Sequence, residues 1–372
     1  MWTRYSVSIV GTVGVPGNYG GFETLAENLV RFRKEHDLDV ELSVYCSSRA
    51  FESRPHEYLG AKLRFLPLNA NGPQSIPYDV LSLLDAVRRR DDVIVLLGVS
   101  GALALPLVRL VSRARILTNI DGIEWKREKW RGLARMILRW SERVAVRWSH
   151  VVIADNSAIA EHVRERYRSG CEVIAYGGDH ALAVEPVEDQ SLDLPKEYAL
   201  ALCRIEPENN VSMILEAFSS MPERNLVFVG NWDKSDFGRD LRAHYHDHAN
   251  IYMVDPIYDP GRLRWIRDGA RAYIHGHSAG GTNPSLVEMM HFGIPVFAHA
   301  CSFNRYTTED QARYFESAAG LVAEVRGVDM TRLHEIGERM QEIAQRRYCW
   351  DQVGRAYFEL VEAVCSKRWR IG

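Results

Sequence analysis

The chain has 372 residues, 46% of them hydrophobic, and a formal net charge of −3. That supplies apolar material for a substantial core and length for two domains, and the charge gives no global reason to expect a nucleic-acid partner. The six cysteines, at 46, 171, 203, 301, 349 and 365, show no CxxC spacing, so neither a disulfide framework nor a structural zinc site is expected and a reducing cytoplasm fits.

The first predicted strand, Val7–Val10, is too short for a signal peptide and breaks at once into Gly11 and Gly14. It leads into GTVGVPGNYGGFETLAENL, where Gly11, Gly14, Gly17, Gly20 and Gly21 form a flexible loop before a helix with Phe22, Leu25, Ala26, Leu29 and Val30 on one face. The spacing is G-x-x-G-x-x-G with a following Gly pair, which departs from the G-x-G-x-x-G dinucleotide fingerprint. No acidic residue ends the second strand at the usual distance, so a nicotinamide enzyme is disfavoured. Plain turn chemistry is the alternative reading of this loop, although five glycines in eleven residues exceed what one turn needs.

Further strands are predicted at Val40–Tyr45, Leu63–Pro67, Val93–Leu97, Ile116–Asn119, Val151–Ala154 and Val173–Ala175. The apolar stretch Val93 to Val108 is interrupted by Gly98, Ser100, Gly101 and Pro106 and falls short of a bilayer span. After the fourth of these strands, NIDGIEWKREKW gathers Asp121, Glu124, Trp125, Lys126 and Arg127. Carboxylates beside an aromatic platform suit sugar binding; alternatively Asp121 caps a helix and Glu124 completes a capping box. Lys126 to Trp148 holds eight basic residues against Glu128 and Glu142, with Arg131, Arg135, Arg139, Arg143 and Arg147 recurring every four positions between Trp130, Trp140 and Trp148. Such a helix can rest on anionic headgroups. Equally, it can be a solvated face over a core stripe of Leu133, Ile137, Trp140 and Val144.

Glu185 to Lys196, EPVEDQSLDLPK, is acidic, holds two prolines and lacks apolar periodicity, and reads as a linker. Strands follow at Ala199–Cys203, Leu226–Val229, Ile251–Val254, Ala272–His275 and Pro295–Ala298. Strand and helix patterns alternate in both halves, which predicts an α/β protein with parallel sheets and ligands beyond the carboxyl ends of the strands. Arg204, directly after a strand, can bridge a diphosphate, or pair with Glu206 or Glu208.

The stretch HGHSAGGTNPSLVEMMHFGI joins a strand to a helix through a small, polar turn. Gly280 and Gly281 let a ligand approach the backbone, and Thr282, Asn283 and the N–H groups of a helix from Pro284 can donate to phosphate oxygens. Glu288, one turn into the helix, can accept from two sugar hydroxyls. The pair reads as a nucleotide-sugar site, with an ordinary strand–loop–helix connection as the alternative. Asp91–Asp92 and the His275/His277 pair are not placed to hold a metal, the first sitting at a helix end and the second reading as a packed strand terminus.

With these motifs the chain resembles retaining family 4 glycosyltransferases of the two-domain GT-B type. GTVGVPGNYGGFET, NIDGIEWKREKW, CRIEPENN and HGHSAGGTNPSLVEMM are similar to those of bacterial rhamnosyltransferases of cell-surface polysaccharide synthesis. The resemblance implies two Rossmann-like domains: residues 1–184 on the acceptor side, a linker 185–196, a nucleotide-sugar domain 197–347, and a final helix in 348–372 returning to the first domain. It implies transfer of L-rhamnose from dTDP-rhamnose to a lipid-diphosphate-linked saccharide, with no metal and no cofactor. The location would be cytoplasmic, peripheral on the inner face of the membrane. Donor contacts fall on Gly14, Gly20, Gly21, Arg204, Asn209, Gly280, Gly281, Thr282, Asn283 and Glu288, and acceptor contacts on Tyr19, Glu23, Asp121, Glu124 and Trp125. Asp121 and Arg204 are the catalytic candidates, and Arg131, Arg135, Arg139 and Arg143 the membrane contacts. Three positions depart from the family: Gly280 replaces its first Glu, Asn209 its phosphate-binding Lys, and Val13 the Arg of the close relatives. Another donor, a sugar-nucleotide epimerase and a non-catalytic nucleotide-sugar-binding subunit are the alternatives.

Overall fold

The computed structural model describes residues 5–17, 20–123, 125 and 132–366, which divide into two units. The first holds the chain up to Tyr176 and from Trp350 onward, and the second runs from Gly177 to Cys349.

In the first unit the strands are β1 (Tyr5–Val10), β2 (Val40–Ser47), β3 (Glu57–Tyr58), β4 (Ala61–Leu66), β5 (Val93–Leu97), β6 (Arg115–Asn119), β7 (Val151–Ala154) and β8 (Glu172–Val173). They form one sheet in the order β3-β4-β2-β1-β5-β6-β7-β8, parallel apart from the β3/β4 pair. Helices α1 (Gly21–Glu35), α2 (Ser75–Arg89), α3 (Leu105–Val111), α4 (Gly132–Trp148) and α5 (Ser157–Tyr167) lie between strands in the chain. Strands β5 (VIVLL) and β7 (VVIA) are buried at every position, as expected where both faces of a parallel sheet are covered. Strand order reverses between β1 and β5, and the glycine loop leaves the sheet there. A Cβ on Gly11 would lie 2.1 Å from the Leu97 carbonyl oxygen, so only glycine lets β1 end against β5.

The second unit holds β9 (Tyr198–Leu202), α6 (Val211–Ser219), β10 (Leu226–Val229), α7 (Asp236–Tyr245), β11 (Ile251–Val254), α8 (Pro260–Gly269), β12 (Ala270–His275), α9 (Pro284–Met290), β13 (Val296–His299), α10 (Ser302–Thr307), β14 (Arg313–Phe315), α11 (Ala318–Arg326) and α12 (Met330–Arg347). Its sheet is wholly parallel in the order β11-β10-β9-β12-β13-β14, a doubly wound arrangement whose switch point lies between β9 and β12. Phe228, Trp232, Phe218 and Phe315 fill one side, and the Trp232 indole donates to the Val254 carbonyl at 3.1 Å.

The last helix, α13 (Trp350–Cys365), belongs to the first unit. Gly354 admits the Phe32 ring, which a Cβ would meet at 2.3 Å; Phe32 and Phe358 stack at 5.8 Å, and Asn119 donates to the Tyr357 hydroxyl at 2.8 Å. The linker expectation needs correction. Residues 185–196 are part of the second unit, and the chain crosses earlier, between Tyr176 and Gly177. Val187 donates its N–H to Gly261 at 3.0 Å and the Asp189 carboxylate accepts from Arg262, so the start of α8 provides partners for a segment that looks unstructured in isolation. Among the described residues no helix is long and apolar enough to cross a membrane.

Candidate functional site

Two loops interlock at the switch point of the second sheet. After β9 the chain turns through Arg204 to Asn210, and after β12 through Gly276 to Asn283. Asn210 donates to the Gly276 carbonyl at 2.8 Å, and the Ser278 N–H and hydroxyl both donate to the Glu208 carbonyl, at 3.0 and 2.8 Å. Asn209 is buried, donating to the Arg204 carbonyl and facing His277 Nδ1 through Oδ1, each at 2.7 Å. Two loops far apart in sequence therefore form one polar rim.

Gly280 sits at φ 128, and a Cβ there would lie 2.9 Å from His277 Nε2. Gly281 continues the turn, Thr282 is buried, and Asn283 caps α9 by accepting from the Ser285 N–H at 3.0 Å. The cap commits the Asn283 side-chain oxygen to its own helix rather than leaving it for a ligand. Arg204 keeps 40% of its side chain exposed and meets Glu206 only at 3.8 Å, a contact worth little in water. Arg305 is occupied, paired with Asp310 at 2.9 Å and stacked over Tyr314.

Glu288 is an engaged carboxylate. One oxygen accepts from Arg267 and the other lies 3.4 Å from His180 Nε2. Burial drives its pKa up, but Arg267 first and His180 second outweigh that and hold it below the usual carboxylate range. Sequence reasoning passed over both partners. Arg267 was legible in principle, because it shares the helical spacing of Leu263 and Ile266 and so faces inward with them.

In the first unit the glycine loop is held by α1. The Val13 N–H and Thr12 hydroxyl donate to Glu23, at 2.8 and 3.2 Å, and the Gly17 N–H donates to Glu27 at 2.7 Å. Glu23, expected to meet an acceptor, thus braces the loop that carries Gly14, while Gly20 precedes α1 and Gly21 opens it. Asp121 follows β6 at φ 58, with its N–H on the Asn119 side chain at 2.9 Å, and Glu124, the other member of the expected capping box, lies outside the described residues. Tyr19, Glu124 and Arg131 lie outside the described residues.

Trp125 corrects the expectation of an open platform. It is 9% exposed, its indole N–H donates to Glu142 at 2.8 Å, and the guanidinium groups of Arg135, Arg139 and Arg166 lie 5.8, 5.5 and 5.1 Å from its ring. Glu142, itself buried, also accepts from Tyr167 at 2.6 Å and pairs with His162 at 2.9 Å. The buried face of α4 is Ser141, Glu142, Ala145 and Val146, whereas Leu133 and Trp140, expected in the core stripe, are 66% and 58% exposed. The carboxylate hub draws the helix round so that its polar Glu142 faces in. Arg139, Arg143 and Arg147 line an open groove of about 1380 Å³ with Arg166 and Arg168.

Asp179, His291 and Cys349 bring a carboxylate, an imidazole and a thiol within 4.8 Å of one another, the one such trio among the described residues.

Comparison with known proteins agrees with this architecture. Residues 186–334 match the family model described as glycosyl transferases group 1, and residues 4–179 match a domain of unknown function, DUF1972. No curated protein matches the chain. Among solved structures, a sucrose-phosphate synthase from Thermosynechococcus elongatus superposes with a TM-score of 0.79 at 15% identity, over 97% of this chain and 99% of that one. The catalytic domain of starch synthase IV from Arabidopsis thaliana, bound to ADP and acarbose, gives 0.73 at 13% identity over 98% and 100%. Anabaena HepE in complex with UDP gives 0.71 at 13% identity over 96% and 100%. At these identities the likeness establishes the fold, two Rossmann-like units of GT-B type.

Proposed function

We propose that this GT-B chain, whose residues 186–334 carry a glycosyl transferases group 1 domain, is a retaining glycosyltransferase that uses a nucleoside-diphosphate sugar. The observation that carries the reading is the joined rim of the second unit, in which Arg204, Asn209, His277 and the Gly280–Gly281 turn meet at the sheet's switch point. HepE, which shares the fold, is described in complex with UDP. In this reading the diphosphate lies along the turn with Arg204 on its oxygens, and Glu288 accepts from the ribose hydroxyls. Its carboxylate retains lone pairs beyond those used by Arg267 and His180.

The donor we assign is dTDP-L-rhamnose. A glycine at 280 removes an acidic acceptor from the sugar side of the turn, which accommodates a 6-deoxy sugar. The acceptor we assign is a lipid-diphosphate-linked saccharide, reached with α4 on the inner face of the membrane. As the glycosidic bond to the diphosphate breaks, Arg204 stabilises the charge that develops on the leaving oxygens. The acceptor hydroxyl passes its proton to the departing phosphate, with Asp121 as the other candidate base. The reaction needs no divalent cation and no cofactor.

Incubation with a panel of nucleotide sugars and lipid-diphosphate acceptors, with products identified by mass and anomeric configuration by NMR, tests the reading. Transfer with retention, undiminished by a chelator, is expected. Epimerised or hydrolysed donor as the sole product would replace it with an epimerase or hydrolase, and donor binding without turnover would leave a binding subunit.

A further inference from the structure

Three donor groups from distant parts of the sequence converge within the second unit. Asp179 lies just past the start of that unit, His291 ends α9, and Cys349 is the unit's last residue. Their carboxylate, imidazole and thiol come within 4.8 Å of one another. Gly178 makes the approach possible: a Cβ there would lie 2.6 Å from the Val287 carbonyl, so only glycine lets this segment pack on the backbone of α9. The Gly178 N–H and His291 Nε2 both meet the Tyr348 carbonyl, at 2.7 and 3.0 Å, which brings Cys349 alongside.

The imidazole is preset as a ligand. A carbonyl only accepts, so Nε2 carries the proton and the neutral ring keeps its lone pair on Nδ1. A metal-bound histidine is held in the same way, its other ring nitrogen donating to a carbonyl or carboxylate. His291 is 3% exposed and its own carbonyl accepts from Gln341 at 3.2 Å, so ring and backbone are both fixed. The Cys349 thiol is engaged, donating to the Gln345 carbonyl at 3.3 Å. A divalent cation takes the place of that proton, which passes to solvent, and binds the sulfur through its lone pairs; the present bond is exchanged and no vacant position is required. The Asp179 carboxylate has lone pairs for a cation in addition to the hydrogen bonds it accepts.

We infer that Asp179, His291 and Cys349 bind one divalent cation of the zinc class, with a fourth position for water. Thiolate, imidazole and carboxylate together favour Zn²⁺ over Mg²⁺ and Ca²⁺, which take oxygen ligands. Bonds of about 2.0–2.3 Å put tetrahedral ligands about 3.5 Å apart, so a contraction of about 1 Å closes the trio, made by the half-buried Asp179 and Cys349 around a fixed imidazole. The cation fastens the beginning and the end of the second unit to the helix that carries Glu288. It holds the frame and takes no part in sugar transfer, and its binding does not depend on the nucleotide-sugar reading of the turn after β12. Because the ligands are distant in sequence, no C-x-x-C or H-x-x-x-H spacing announces the site.

The test adds Co²⁺ and then Zn²⁺ to the full chain, reduced and first stripped of metal with a chelator. Co²⁺ is expected to give a thiolate-to-metal charge-transfer absorption that saturates at one equivalent. Zn²⁺ should displace it and raise the melting temperature by about 5 °C at a hundredfold excess over its dissociation constant, whereas Mg²⁺ should do neither. Cys349→Ser should abolish the absorption and the shift although the five other cysteines remain. Asp179→Asn should weaken binding by more than the roughly tenfold that loss of an outer partner costs. No absorption in the wild type, or absorption and stabilisation that persist in Cys349→Ser or are undiminished in Asp179→Asn, overturns the inference and leaves a hydrogen-bonded trio. Cys349 and Asp179 are both half-buried, so the metal-free melting temperature of each variant shows that it has folded before its binding is read.

Discussion

Glu288 and Arg204 illustrate two kinds of charged residue in one site. Arg267 is 6% exposed, so Glu288→Ala leaves a buried guanidinium without its counter-ion and should cost about 3–5 kcal/mol of stability in urea titration. Glu288→Gln keeps acceptor and volume, loses less stability, and is the variant for calorimetry, where donor binding should weaken by about 1.5–3 kcal/mol. The pH sign follows from the lowered carboxyl: its contribution to stability is present above the ordinary carboxylate range and is lost as pH falls through the depressed value. Arg204→Ala is the opposite case. Its partner is 3.8 Å away and its side chain 40% exposed, so the melting temperature should hold while kcat falls about a hundredfold or more. An effect on KM alone would mean that Arg204 binds donor and transition state equally.

At the scale of the element, α4 has two unequal arginine groups. Arg135 and Arg139 lie over the Trp125 ring, as does Arg166, whereas Arg143 and Arg147 line the groove, which Arg139, Arg166 and Arg168 also reach. If the helix meets anionic lipid, changing Arg143 and Arg147 to Glu removes two contacts of about 1 kcal/mol each and adds repulsion, so sedimentation with anionic vesicles at low salt should collapse. Turnover of a short water-soluble acceptor should persist. The triple change at Arg135, Arg139 and Arg143 should also loosen Trp125 and lower the melting temperature, because two of those guanidinium groups pack on the indole. Vesicle binding that survives the Arg143/Arg147 double change, with no dependence on salt, would rule out the helix as a membrane contact.

Over the whole molecule, the last helix completes a unit begun more than three hundred residues earlier. Truncation after Cys349 strips Phe32 and Asn119 of Phe358 and Tyr357, and the first unit should fail to fold, seen as loss of cooperative melting. Acid should weaken the same unit through His150, whose pKa burial, Arg109 and Arg115 push down to about 4. Between the ordinary imidazole value and about 4 the unfolded chain binds the proton and the folded chain does not, so stability falls with pH across that window. His150→Asn should flatten the slope in urea titrations. The sequence by itself determined the alternation of strands and helices, the buried strands, the glycine loop and the polar turn, since these follow from periodicity and from the conformations glycine allows. Only the tertiary structure decided where the units divide, that residues 185–196 pack on α8, that Glu288 is shared by Arg267 and His180, that Trp125 is covered, and that Asn209 orients His277. Each of those depends on a partner distant in sequence. Local pattern fixes the path of a segment, whereas a side chain's charge, exposure and tautomer are set by whatever folding brings beside it.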